Sequence, residues 1–349
     1  MEFKKPPRLQ KGDKIAVISP SSGLAHCFPQ VLDRGLSCMK RIFQLQPVEY
    51  SSTRRSSNYL SKHPKVRAED LNRAFADPSI KGVICSIGGD DQIRILPYLN
   101  EKVISSSPKI FMGYSDATNL HLFLWRLGII SYYGGAVMTQ FGRIGGMDEF
   151  TIQAIKAALF HDEIGEIKPS EEWSDFDLDW SKKSDSKESI PRYKSKGWIW
   201  HQPQKGVIIG RLWGGCLETL YLHLASKKYL PRFDQSDDLI LFIETSEEMP
   251  KDSMVYKFIS ALGEMNILKL FKAILVGRPK TQFLGHSPYE GKESYMENQR
   301  LAIKRGLNDY NCPSLPVIFD INFGHTDPQT ILPSGKKVTI DCQRKKIFL

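Results

Sequence analysis

Short apolar runs that break at glycine, serine or proline and resume as helix-spaced leucines recur along this chain. That alternation limits the folds open to it more than any other feature. "GDKIAVISPSSGLA" (residues 12–25) reads as a strand ending in a Ser/Pro/Gly loop, and Val31, Leu32, Leu36 and Met39 follow at helical spacing. "IKGVICSIGGDDQIRILPYL" (80–99) repeats the arrangement: a β-rich run, Val83 to Ile87, enters Gly88-Gly89-Asp90 ahead of a helix-like segment. "KIFMGYSDATNLHLFLWRLG" (109–128) repeats it again, and "GIISYYGGAVM" (128–138) adds a further apolar run. Strands alternating with helices predict a largely parallel sheet flanked by helices, with functional loops gathered at the carboxyl ends of the strands.

Near residue 165 the character changes. Residues 171–206 are polar, charged and studded with Trp173, Trp180, Trp198 and Trp200, with a Ser/Lys-rich patch at 181–196. Aromatics are costly to leave in water, so this stretch predicts a loop or short hairpin packed onto a domain or a ligand. Strand patterns return at "GVIIGRLWGGCLETLYLHLAS" (206–226), "DLILFIETSEE" (238–248), "FKAILVGRP" (271–279) and the strand-and-turn run 316–349. The expected organisation is an N-terminal α/β domain over 1–165, a Trp-bearing connection over 166–205, and a C-terminal β-rich α+β domain over 206–349.

Of the 349 residues, 41% are hydrophobic and 25% charged, as in globular proteins. No apolar run approaches the roughly 20 residues that cross a bilayer. The basic N-terminus, MEFKKPPRLQKGDK, is not followed by a signal-peptide core, so a cytoplasmic protein is expected. The net charge of +9 comes from scattered lysines and arginines without a long basic tract, which argues against nucleic acid as a partner. Cysteines 27, 38, 85, 216, 312 and 342 lie far apart and form neither C-x-x-C pairs nor zinc spacings; reduced thiols and no metal are expected.

The corner at Gly113-Tyr114-Ser115-Asp116 asks for a chemical reading. Apolar Ile110 to Met112 precede it, and Leu120, Phe123, Leu124 and Leu127 follow at helical spacing. Two roles fit. Ser115 or Asp116 caps the helix, or Ser115 is a nucleophile held out on a strand-to-helix turn above unpaired helix N–H groups. A serine nucleophile needs a base, and the base needs an orienting partner. Among eight histidines, His121 and His223 fall inside helical patterns, where packing or surface roles are expected. His325 instead sits in the loop "NFGHTDP" beyond an apolar strand, and Glu244 likewise ends one. Each has a plain alternative, a surface histidine and a solvated edge carboxylate. Taken together, Ser115, Glu244 and His325 all terminate predicted strands, in the chain order serine, acid, histidine. Oxyanion donors are then expected from the backbone of Asp116 and from the Gly88-Gly89-Asp90 turn, with Gly89 as the second donor.

The motifs "GDKIAVISPSS", "SIGGDD", "FMGYSDATNL", "GRLWGGCLETL", "FIETSEE" and "FGHTDP", in this order, resemble the LD-carboxypeptidase family of serine peptidases, which includes the microcin C self-immunity proteins. The resemblance spans nearly the whole chain and is least supported over 166–205. It implies Ser115 as nucleophile, Glu244 and His325 supplied by the second domain, a site at the domain interface, no cofactor, and a homodimer. The elbow departs from the G-x-S-x-G of α/β-hydrolases, since Asp116-Ala117 replaces the second glycine. The resemblance leaves two branches open. One releases terminal D-alanine from cell-wall tetrapeptides; the other cleaves the amide joining an acidic residue to a modified nucleotide. "ETSEE" and the tryptophans favour the second, with Gly88, Asp90, Trp180 and Trp198 as expected substrate contacts. A peptide- or nucleotide-binding protein without catalysis is the remaining alternative.

Overall fold

The computed structural model describes residues 2–177, 179–181, 190–202, 206–231, 233, 238–284, 286–288 and 290–349. Residues 182–189 of the Ser/Lys-rich patch lie outside the described residues. The chain divides into two compact units. The first comprises 1–163, 179–189 and 331–335; the second comprises 164–178, 190–330 and 336–349.

In the first unit the apolar runs become β1 (Lys14–Ile18), β2 (Gln46–Glu49), β3 (Ile80–Cys85), β4 (Ile110–Gly113) and β5 (Ser131–Tyr133). All pair in parallel, and the antiparallel strand β14 (Leu332–Ser334), from near the end of the chain, completes the order β14-β5-β4-β3-β1-β2. β4 is buried at every position, and β1 at all but its first, as continuous apolar strands between helical layers must be. The helices are α1 (Leu24–Cys27), α2 (Pro29–Phe43), α3 (Ser57–Lys62), α4 (Pro64–Ala76), α5 (Glu101–Ser106), α6 (Thr118–Arg126) and α7 (Glu149–Phe160). Proline opens α2 and α4 at a position where its missing N–H costs nothing. Ser56 and Asn100 cap α3 and α5 by accepting from the N–H groups of Tyr59 and Val103.

The second unit contains β6 (Glu166–Ile167), the hairpin β7 (Glu172–Trp173) and β8 (Tyr193–Lys194), β9 (Ile199–His201), β10 (Val207–Cys216), β11 (Leu239–Glu244), β12 (Phe271–Gly277), β13 (Val317–Ile321), β15 (Lys337–Asp341) and β16 (Lys346–Phe348). Its main sheet runs β6-β16-β15-β10-β11-β12-β13-β9. The middle four strands, β10 to β13, are parallel and the flanking ones antiparallel, so this strand-rich unit has an α/β heart. Its crossovers carry α8 (Leu217–Ser226), α9 (Asp252–Glu264) and α10 (Lys292–Asp309), because parallel neighbours need long connections. β11, LILFIE, is buried throughout and ends on Glu244 at the carboxyl edge.

Candidate active site

In the first unit β4 stops at Gly113, Tyr114 stays extended, and Ser115 turns to φ +63° before a short 3-10 turn leads into α6. A residue with a β-carbon in the left-handed region carries roughly 1–3 kcal/mol of strain and persists only where its surroundings enforce it. The enforcing contacts are visible. The Ser115 N–H donates to the Tyr133 hydroxyl at 3.2 Å, and the Thr118 hydroxyl donates to the Ser115 carbonyl at 2.7 Å. Asp116, buried directly behind, accepts from the Gln92 N–H at 2.9 Å and from Asn119 Nδ2 at 2.7 Å. Burial pushes its carboxyl up to about 6.

The turn after β3 lies against this corner. A β-carbon on Gly88 would stand 3.0 Å from Ser115 Cβ and 3.1 Å from its Oγ, so any larger residue there would crowd the hydroxyl. Gly89 packs on Ser21 and Ser22, and Asp90 is exposed. The residue that anchors the turn is Asp91, which sequence reading passed over. It pairs with Arg67 at 2.6 Å, and Arg67, fully buried, also donates to the carbonyls of Pro20 and Ser21 at 3.0 and 3.2 Å. Gln92 completes the lock, donating from Nε2 to Ser21 Oγ at 3.0 Å. No local pattern marks Arg67, which looks like any charged helix residue until its partners are known.

His121 is buried beneath the same corner, with Nε2 2.9 Å from the Gly113 carbonyl and Nδ1 2.7 Å from Ser131 Oγ. The carbonyl can only accept, so Nε2 carries the proton and Nδ1 accepts from the serine. Burial lowers its pKa to about 4, and the ring is a neutral brace. His223, in α8, is buried too, and burial lowers it to the same value.

In the second unit Glu244 ends β11 and His325 lies in the loop after β13. Glu244 Oε2 accepts from His325 Nδ1 at 2.6 Å, and both side chains are withdrawn from solvent. Their approach depends on Gly324, at φ +95°: a β-carbon there would stand 2.6 Å from Glu244 Cγ and 2.7 Å from Cδ. Glu218, at the start of α8, accepts from the N–H and hydroxyl of Ser246 at 2.9 and 2.6 Å and so ties down the loop beyond Glu244. Burial raises the Glu218 carboxyl. Lys280 holds the histidine loop from below, donating to the His325 carbonyl at 3.4 Å and pairing with Asp177 at 2.6 Å. The other ring nitrogen, Nε2, lies 3.1 Å from Glu247 Oε2. Burial works against a charge on the ring, but the Glu244 and Glu247 carboxylates outweigh it and hold the histidine well above its ordinary value.

The tryptophans divide. Trp180 meets Phe28 edge-on at 5.6 Å in the first unit, and its carbonyl accepts from Gln30. Trp198 is half-buried in the second, its Nε1 donating to Asn322 at 3.4 Å. Trp173 is buried beside Tyr193, with Arg278 and Lys292 over its face, a packing role. Trp200 pairs with Ile318 across β9 and β13. Among the described residues no group of His, Cys, Asp and Glu is arranged to hold a metal, and no helix is long and apolar enough to cross a membrane.

A serine forced into the left-handed region at a strand-to-helix corner is the device of enzymes that attack with a hydroxyl, and the class this chain falls into is that of the serine hydrolases. Residues 15–134 match the LD-carboxypeptidase N-terminal domain and residues 209–340 the LD-carboxypeptidase C-terminal domain, so the chain belongs to the LD-carboxypeptidase family of serine peptidases. It is similar to an inferred carboxypeptidase of Vibrio cholerae, at 29% identity over 95% of this chain and 93% of that one. It is also similar to the microcin C7 self-immunity protein MccF of Escherichia coli, at 27% identity over 98% and 94%. Among solved structures, an MccF-like protein from Streptococcus pneumoniae in complex with AMP superposes with a TM-score of 0.81 at 29% identity, covering 97% of this chain and 98% of that one. MccF in complex with aspartyl sulfamoyl adenosine superposes with a TM-score of 0.83 at 25% identity, covering 99% and 97%.

Proposed function

We propose that this serine peptidase is of the self-immunity type and hydrolyses the amide between an acidic amino acid and a modified nucleotide. The observation that carries this reading is the likeness, over nearly the full length of both chains, to MccF-like structures holding AMP and an aspartyl-adenosine analogue. In this reading Ser115 Oγ attacks the scissile carbonyl carbon and His325 Nε2 takes the hydroxyl proton. Glu244 fixes the ring through Nδ1 and stabilises the imidazolium. The tetrahedral oxyanion is stabilised by the Asp116 N–H and by an N–H of the Gly88-Gly89 turn; the close approach of Gly88 to the serine supports that assignment. The histidine then protonates the departing nitrogen, which leaves Ser115 acylated. Water, deprotonated by the same histidine, releases the acid and restores the hydroxyl. Trp180 and Trp198 are the candidates to stack on the base.

A second reading, release of D-alanine from a cell-wall tetrapeptide, is favoured by a different observation. Glu218 and Glu247 flank the Glu244–His325 pair, an acidic surrounding ill-suited to a phosphate. Mass spectrometry of the purified protein and its Ser115→Ala variant separates the two, using a tetrapeptide ending in D-alanine and a peptidyl-aspartyl sulfamoyl adenosine. Serine-dependent cleavage confined to the nucleotidyl compound supports the proposal; release of D-alanine alone overturns it in favour of the second reading. We also propose a homodimer, to be checked by light scattering.

A further inference from the structure

His325 carries a carboxylate on each nitrogen. Glu244 lies on Nδ1 at 2.6 Å and Glu247 on Nε2 at 3.1 Å. Carboxylates at this distance only accept, so both nitrogens must donate, and a ring with two N–H groups is an imidazolium. An imidazolium has no lone pair with which to take a proton from serine. The two acids are also unlike in their setting. Glu244 has no exposed side-chain surface and ends a buried strand, whereas Glu247 is 41% exposed and stands in the turn beyond it. One is enclosed, and the other is partly open to solvent.

We propose that Glu247 is a latch on the general base: its carboxylate occupies Nε2 of His325, the nitrogen that must receive the serine proton, and keeps the ring doubly hydrogen-bonded until it swings out. This rests on the reading of His325 as the base. When Glu247 withdraws, the Nε2 proton leaves to solvent, Nε2 becomes an acceptor, and Glu244 keeps the ring in the tautomer that catalysis uses. Glu247 is thus a positioning residue that acts through the histidine. Charges near the ring among the described residues include Lys280, whose Nζ donates to the His325 carbonyl, Asp177, which pairs with that lysine, and Asp327 in the same loop. Lys280 also draws on the Glu247 carboxylate itself. The charge on His325, with Lys280 behind it, holds the Glu247 carboxyl low against the upward push of burial.

The test is the rate at which a fluorophosphonate labels Ser115 in the full-length protein as a function of pH. Labelling needs the free base but no substrate. In Glu247→Ala and Glu247→Gln the midpoint of the acid limb should fall by at least one pH unit. Labelling at pH values below both midpoints then rises about tenfold or more for each unit. Glu247→Asp, with a shorter reach, should lie between these variants and the wild type. A midpoint that does not move, or moves up, in both neutral variants overturns the latch. So does slower labelling at every pH. His325→Ala is run alongside. If it labels as fast as the wild type, the reading of His325 as base has failed; if it is inert while the Glu247 variants keep the wild-type midpoint, only the latch has. A purely structural role for Glu247 would change melting temperature and leave the midpoint where it is.

Discussion

Gly324 and Glu244 are packed so closely that a single methyl group between them would displace the carboxylate from His325. A β-carbon on Gly324 would stand 2.6 Å from Glu244 Cγ, well inside contact distance, and the residue holds φ +95° besides. Gly324→Ala is therefore expected to cost about 1–3 kcal/mol in folding free energy, read by urea denaturation, from strain and overpacking together. It should also lower kcat by a larger factor than KM changes, since it moves the carboxylate bonded to His325, the proposed base.

Ser115 offers the opposite experiment. Its φ of +63° is strained for serine and relaxed for glycine. Ser115→Gly should abolish turnover and yet raise stability by about 1 kcal/mol, while Ser115→Ala abolishes turnover with stability nearly unchanged. Denaturation curves of the three proteins check this; a Ser115→Gly variant less stable than wild type would show that the corner is not strained.

Asp116 supplies a pH signature in stability. Burial raises its carboxyl to about 6, above the value near 4 of an unfolded aspartate. A group with a raised folded-state value binds its proton more tightly when folded. Its full contribution is present below about pH 4, is lost as pH rises toward 6, and is constant above that. Relative to Asp116→Asn, which does not titrate, the wild type should lose on the order of 2–3 kcal/mol between pH 4 and pH 7. Parallel stability–pH curves for the two proteins would contradict this.

Trp180 and Trp198 can be separated by substrate. If either indole stacks on an adenine, its replacement by alanine raises KM for the nucleotidyl compound by about tenfold to a hundredfold and leaves hydrolysis of a plain peptide amide untouched. Steady-state kinetics on both substrates decide it. Unchanged KM in both variants removes stacking from the account and leaves Trp180 a partner of Phe28 and Trp198 a partner of Asn322.

Much of this protein is legible without coordinates because its information is local. Apolar runs such as LILFIE are long enough to name a buried strand, the glycine or serine after each run marks its end, and helix-spaced leucines mark the helix beyond the turn. From these patterns come the alternating architecture of the first unit, the strand-rich second, and the expectation that Ser115, Glu244 and His325 each terminate a strand. Tertiary structure alone decided the rest, because it depends on residues that meet from distant parts of the chain. Ser115 takes a left-handed backbone since Tyr133, Thr118 and the Gln92–Asp116 bond hold it there, although serine by itself disfavours that conformation. Arg67 and Asp91 anchor the turn against the serine through a buried pair that no spacing announces. The strand at Leu332–Ser334 pairs with β5 in the first sheet while the residues on either side of it belong to the second unit. Glu247 reads in sequence as one more acid in ETSEE. Only the folded chain puts it on the histidine, with its Oε2 3.1 Å from Nε2.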